Sequence, residues 1–179
     1  YMVGSDSLAV RIEEDRKDIQ VKRLYIDAFQ QENRWENSYY PAVNRELNRQ
    51  MNQGAYLLNY VGHGSTRKLG HEEFFSFEDA IAWRNLKRLP ILVAASCFFA
   101  SNDWEQDVTL GRDMLFMPQG GSIAIVAASR LTYNYSNQLF NSHLLRSIFP
   151  GAKAPQYHAL GDAVRMAKNK TPGNENRSK

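Results

Sequence analysis

The run Ala55-Tyr56-Leu57-Leu58-Asn59-Tyr60-Val61 passes directly into Gly62-His63-Gly64, and Ile91-Leu92-Val93-Ala94-Ala95-Ser96 passes directly into Cys97, the only cysteine of the chain. Apolar runs of this length, the first broken only by Asn59, are the pattern of parallel strands covered on both faces. In an open α/β sheet, ligands bind outside the carboxyl ends of the strands. Neighbouring strands lie about 4.8 Å apart, so if these two pair, His63 and Cys97 emerge side by side. A thiol beside an imidazole is the minimum apparatus for covalent acyl transfer.

Outward from this pair, the chain alternates. Ser5 or Asp6 is read as the cap of a helix carrying Leu8, Ala9 and Ile12 inward. Residues 21–26 are expected as a short strand and 30–38 as a polar surface loop. Pro41 suits the first turn of a helix whose Val43, Leu47 and Met51 recur every four residues, ending at Asn52-Gln53-Gly54. A long loop, 62–76, leads to a helix near 77–86. Pro90 introduces the cysteine strand, and a helix capped by Asp107 follows with Leu110, Met114 and Met117 on one face. Residues 122–128 read as a fourth strand, with helices near 136–149 and 158–168 behind it. The expected fold is therefore α/β, a three-layer α-β-α arrangement with a mainly parallel sheet. Residues 1–170 form one domain and 171–179 a polar, disordered tail. A parallel domain normally opens on a strand, whereas this chain opens on a helical pattern. The expectation is that the domain is incomplete and the chain a piece of something longer.

Composition excludes several classes. The chain has 179 residues, 43% of them hydrophobic, enough for a single core. Its net charge of +3, from 22 basic and 19 acidic residues, arises largely from Lys168, Lys170, Arg177 and Lys179 near the end. There is no basic stripe of the kind nucleic-acid binders carry. One cysteine rules out an intrachain disulfide. The longest apolar stretch, 91–100, is about half of what crosses a bilayer. His71-Glu72-Glu73 lacks a second histidine at helical spacing, so it reads as polar loop; neither a metal nor a cofactor is expected.

The chemistry at the strand ends follows from the residue types. The expected chemistry has His63 draw off the Cys97 proton or hold a standing thiolate as an ion pair; the thiolate then attacks a carbonyl carbon, and the imidazolium protonates the departing amine. The amides of Gly64 and Cys97 are the natural donors to the oxyanion. Glycines beside His63 permit unusual backbone angles and close approach of another segment. The competing readings are a cysteine acting as a small buried hydrophobe and a tight turn with an exposed histidine. Arg130, after the fourth strand, is a candidate for meeting an acidic group or chain carboxylate, against the reading of a solvated surface arginine. Asp103 is a candidate for steering substrate, against a loop-capping role. Phe74, Phe75, Phe77, Phe98 and Phe99 either line a specificity pocket or pack a loop. His143 and His158 are read as structural.

These residues carry a family resemblance. Asn59-Tyr60-Val61-Gly62-His63-Gly64-Ser65, followed by Ala95-Ser96-Cys97 34 residues beyond the histidine, resembles the gingipain group of cysteine peptidases, whose fold is caspase-like. Tyr25-Ile26-Asp27-Ala28-Phe29-Gln30-Gln31, Asn52-Gln53-Gly54-Ala55, Gly120-Gly121-Ser122-Ile123-Ala124 and Leu160-Gly161-Asp162-Ala163-Val164-Arg165 extend the likeness toward the gingipain-like sortases of the type IX secretion system of Bacteroidetes. The resemblance implies a thiol endopeptidase at the surface of a Gram-negative cell, associated with the outer membrane. Its implied substrates are secreted cargo polypeptides with a C-terminal sorting domain. The implied partners are a lipopolysaccharide amine as acyl acceptor and outer-membrane secretion components. A broad secreted protease and a non-catalytic caspase-like binding domain are the alternatives. The chain departs from the family pattern at Leu69, where a tryptophan is common, and at Asn102-Asp103-Trp104, where Asp-Asp-Pro is. The family's third, orienting acid falls near or before Tyr1 and is assigned to no residue.

Overall fold

The computed structural model describes residues 2–34, 37–70, 74–101, 108–151 and 157–172. In chain order the elements are α1 (Met2–Asp15), a 3-10 turn (Ile26–Ala28), β1 (Glu32–Arg34), β2 (Asn37–Tyr39), α2 (Pro41–Gln53), β3 (Leu57–Val61), β4 (Lys68–Leu69), β5 (Phe75–Ser76), α3 (Phe77–Ile81), β6 (Ile91–Ala95), α4 (Leu110–Asp113), β7 (Ala124–Ala127), α5 (Asn134–Ile148) and α6 (Leu160–Lys170). They group into two compact units, one from residues 24–132 and one from 1–23 with 133–179.

The larger unit is built on a three-stranded parallel sheet in the order β3-β6-β7. The register pairs Leu58 with Leu92 and Leu92 with Ile125, then Tyr60 with Ala94 and Ala94 with Ala127. Because side chains alternate along a strand, these six share one face. They meet Val43, Leu47 and Met51 of α2, with Leu69, Phe74, Phe75, Trp83, Phe99, Leu110 and Met114, in a single core. β6 is buried on both sides, Val93 as fully as Leu92, as a central parallel strand requires.

A second stripe on α2 carries asparagines at intervals of four, and each ties down a residue in the stretch 74–84 around β5 and α3. Asn44 Nδ2 donates to the Phe74 carbonyl (2.9 Å), Trp83 Nε1 donates to Asn48 Oδ1 (2.7 Å), and the Arg84 amide donates to Asn52 Oδ1 (2.7 Å). Asn85, 2% exposed, accepts from the Gly121 amide and donates to its carbonyl, so one side chain stands in for a strand neighbour at the entry to β7. Gly121 sits at φ +107°, where a side chain would collide with the Met114 carbonyl.

The smaller unit is helical. Ala163 and Ala167, one turn apart on α6, are fully buried, and their small size lets α6 pack closely on α5, where Leu144 and Leu145 are buried. In α1, Leu8, Ala9 and Ile12 are the buried residues.

Several expectations need correction. α1 begins at Met2, so Ser5 and Asp6 lie inside it and cap nothing. Residues 21–26 form no strand: Arg23 is drawn to Asp6 (3.0 Å) and Glu13 (2.6 Å) along α1, and Ile26 opens a 3-10 turn. The loop expected at 30–38 contains the antiparallel pair β1-β2. The helix expected to 86 stops at Ile81. α4 is a single turn capped by Thr109, whose Oγ1 accepts from the Arg112 amide; Asp107 lies outside the described residues. So do 173–179 of the expected tail.

Candidate active site

Val61 and Ala95 are the last paired residues of β3 and β6, and the ladder continues one step further through the Gly62 amide to the Ala95 carbonyl (3.3 Å). His63 and Cys97 each stand two residues beyond that last pair. The sheet therefore delivers both to the same carboxyl-end rim, as expected from the sequence.

The loop bearing His63 is held tightly. The His63 carbonyl accepts from the Tyr60 hydroxyl (2.6 Å) and from the Gly70 amide (2.8 Å). Gly64 bridges Leu69, Ser65 closes the turn onto Lys68 (2.9 Å), and the Thr66 carbonyl accepts from the Leu110 amide (2.7 Å). His63 itself is exposed to solvent. Its flanking glycines are required by contact rather than by backbone angle, since neither has a positive φ. A Cβ at Gly62 would collide with the Tyr60 hydroxyl. One at Gly64 would lie 2.7 Å from Ser96 Oγ and 3.4 Å from the Cys97 carbonyl.

Cys97 is half-buried. Its Sγ lies 3.5 Å from the Thr132 carbonyl, to which the thiol donates, and 3.6 Å from Thr132 Oγ1. Among the described residues these are its hydrogen-bond partners, and His63 is not one of them. Phe98, next in the chain, is the one non-glycine residue among those described with a positive φ, +57°. Its amide donates to the Arg130 carbonyl (3.3 Å), while its own carbonyl accepts from the Ser101 amide (3.3 Å). The Ala100 amide reaches the Ala128 carbonyl (3.2 Å), and Ser101 Oγ reaches the Ser129 carbonyl (2.7 Å). The segment leaving β7 thus straps the cysteine turn along its length. Neither the Gly64 nor the Cys97 amide donates a hydrogen bond to the described residues, and Ser96 Oγ, fully buried between them, has no partner there.

Of the other candidates, Arg130 is exposed and reaches this rim through its backbone bond to Phe98, with Nη1 on the Ser129 carbonyl (3.1 Å). Asp103 and His71-Glu72-Glu73 lie outside the described residues. Phe74, Phe75 and Phe99 are core residues, Phe77 is exposed and Phe98 half-buried. Leu69 is 1% exposed and belongs to the core. Burial, then Lys170 and Arg146, hold the His143 imidazole below its usual value. What the sequence reading missed is Thr132, which lies in no motif and meets Cys97 only through the β6–β7 pairing. No group of side chains among the described residues is placed to hold a metal ion.

The fold is that of a gingipain. The chain is similar to the crystal structure of the Arg-specific cysteine proteinase gingipain R (RgpB), with TM-score 0.62 and 18% identity over 72% of this chain and 30% of that one. It is also similar to the complex of Porphyromonas gingivalis RgpB pro- and mature domains, with TM-score 0.54 and 19% identity over 63% of this chain and 27% of that one. No curated protein sequence matches. The profile of peptidase family C25 matches residues 3–179, and the chain belongs to that family, the gingipain cysteine peptidases. It spans under a third of the length of the gingipain structures it resembles.

Proposed function

We propose that this chain carries the catalytic centre of a cysteine endopeptidase, with Cys97 as nucleophile and His63 as general base and then general acid. The observation that carries the reading is the equal displacement of the two residues beyond the Val61–Ala95 pair on adjacent parallel strands. His63, at the end of the neighbouring strand, is the group that takes the thiol proton. Thiolate attack on a peptide carbonyl gives a tetrahedral oxyanion, for which the amides of Gly64 and Cys97 are the donors. The imidazolium gives its proton to the leaving amine, and the acyl-enzyme passes to water or to another amine. Arg130 stands at the rim as a contact for substrate, and Asp103 has the same assignment from its place in the sequence.

The substrate reading is a PorU-like sortase of the type IX secretion system. It would remove C-terminal sorting domains from cargo at the outer membrane and pass the acyl group to a lipopolysaccharide amine. It is supported by the ordered likeness from Tyr25 to Arg165. Incubation with cargo bearing an intact sorting domain, with and without lipopolysaccharide, tests it. Release of the sorting domain, with casein left intact, is expected; digestion of casein with no selective release means a broad protease instead.

A further inference from the structure

We infer that Thr132 is a positioning residue for Cys97, holding the thiol at rest through its carbonyl and the thiolate through its hydroxyl. This rests on the reading of Cys97 as nucleophile and deepens it.

The geometry offers two different partners on one residue. The carbonyl at 3.5 Å accepts only from a protonated sulfur; once the S–H bond breaks and the proton sits on His63, two electron-rich atoms face each other. The hydroxyl at 3.6 Å either accepts from the thiol or donates to the thiolate. Ionisation therefore exchanges one bond for the other by turning the Thr132 O–H. No covalent bond to Thr132 changes. A sulfur held this way does not collapse onto the bare carbonyl, and it is released toward substrate as the new C–S bond forms.

Thr132 is held for this role by the strap. Ala128, Ser129 and Arg130 are all bonded through their carbonyls to residues 98–101, so residue 132 reaches the sulfur from a fixed track. On residues 62–66, 96–101 and 128–132, which meet at the cysteine, the ionisable groups besides Cys97 are His63 and Arg130. Both are unchanged by a substitution at 132.

The test is the rate of Cys97 alkylation by iodoacetamide in the full chain, at pH 6 and at pH 9. Thr132→Val removes the hydroxyl and keeps the carbonyl and the branched shape. A hydrogen bond of ordinary strength predicts labelling about fivefold slower than wild type at pH 6. At pH 9, where the thiol ionises without help, the two should agree within about twofold. Thr132→Ser should label like wild type at both. Thr132→Ala replaces Thr132→Val should the valine chain melt below the assay temperature. Equal rates at pH 6, or equal slowing at both pH values, would overturn the assignment. His63→Ala separates the two claims: if it slows labelling at pH 6 while Thr132→Val does not, Thr132 fails alone. If wild type shows no fast labelling at pH 6, the dyad fails and Thr132 with it.

Discussion

The backbone of Gly64 rests on the side chain of Ser96: a Cβ at position 64 would lie 2.7 Å from Ser96 Oγ and 2.8 Å from Ser96 Cβ. Ser96 is fully buried and follows directly on β6, so it has nowhere to retreat. This contact sets the spacing between the histidine loop and the cysteine. Gly64→Ala should therefore push the loop off the rim, at a cost of about 1–3 kcal/mol. Peptidase activity should fall further than stability does. Denaturant unfolding and turnover measured together check this, and Gly64→Ala with Ser96→Gly should recover part of both.

Phe98 occupies a left-handed backbone conformation one residue after the nucleophile. Asparagine tolerates that region and a β-branched residue does not. Phe98→Asn and Phe98→Val both lose the ring, so the difference between them reads the backbone alone. The valine variant should be less stable than the asparagine variant by about 1 kcal/mol or more, and slower in Cys97 alkylation. Equal stabilities would mean that the turn is unstrained.

Trp83 is 1% exposed and donates its indole N–H to Asn48. Asn48→Ala leaves that donor buried and unpaired, at a cost of about 1–3 kcal/mol. Asn48→Asp, which keeps an acceptor at the same place, should cost less. Urea unfolding followed by tryptophan fluorescence measures both.

Much of the scaffold was legible because its periodicities are strong. Val43, Leu47 and Met51 mark the buried face of α2, and apolar runs, the first broken only by Asn59, mark β3, β6 and β7. Pairing of β3 with β6 was the assumption on which the site depended, and the parallel register bears it out. Residues 21–26 misled because a short segment with Val21, Leu24, Tyr25 and Ile26 looks the same whether or not it finds a partner strand; here Arg23 is ion-paired to α1 instead. The asparagines of α2 were passed over because polar residues at helical spacing read as a solvated face, and only tertiary structure shows them bonded to Phe74, Trp83 and Arg84. Gly62 and Gly64 were singled out for unusual backbone angles, which neither uses, and for close approach of another segment, which Gly64 makes against Ser96. Thr132 was invisible for a different reason: its relation to Cys97 spans 35 residues and arises from how two loops leave adjacent strands.

The central claim is that Cys97 and His63 work as one unit, and the pH dependence of Cys97 alkylation tests it most directly. Fast labelling below pH 7 in the wild-type chain, slowed at least tenfold by His63→Ala (about 1.4 kcal/mol of lost coupling), is the predicted result. Labelling only above about pH 8.5, as for a free thiol, and at the same rate in both chains, would contradict it.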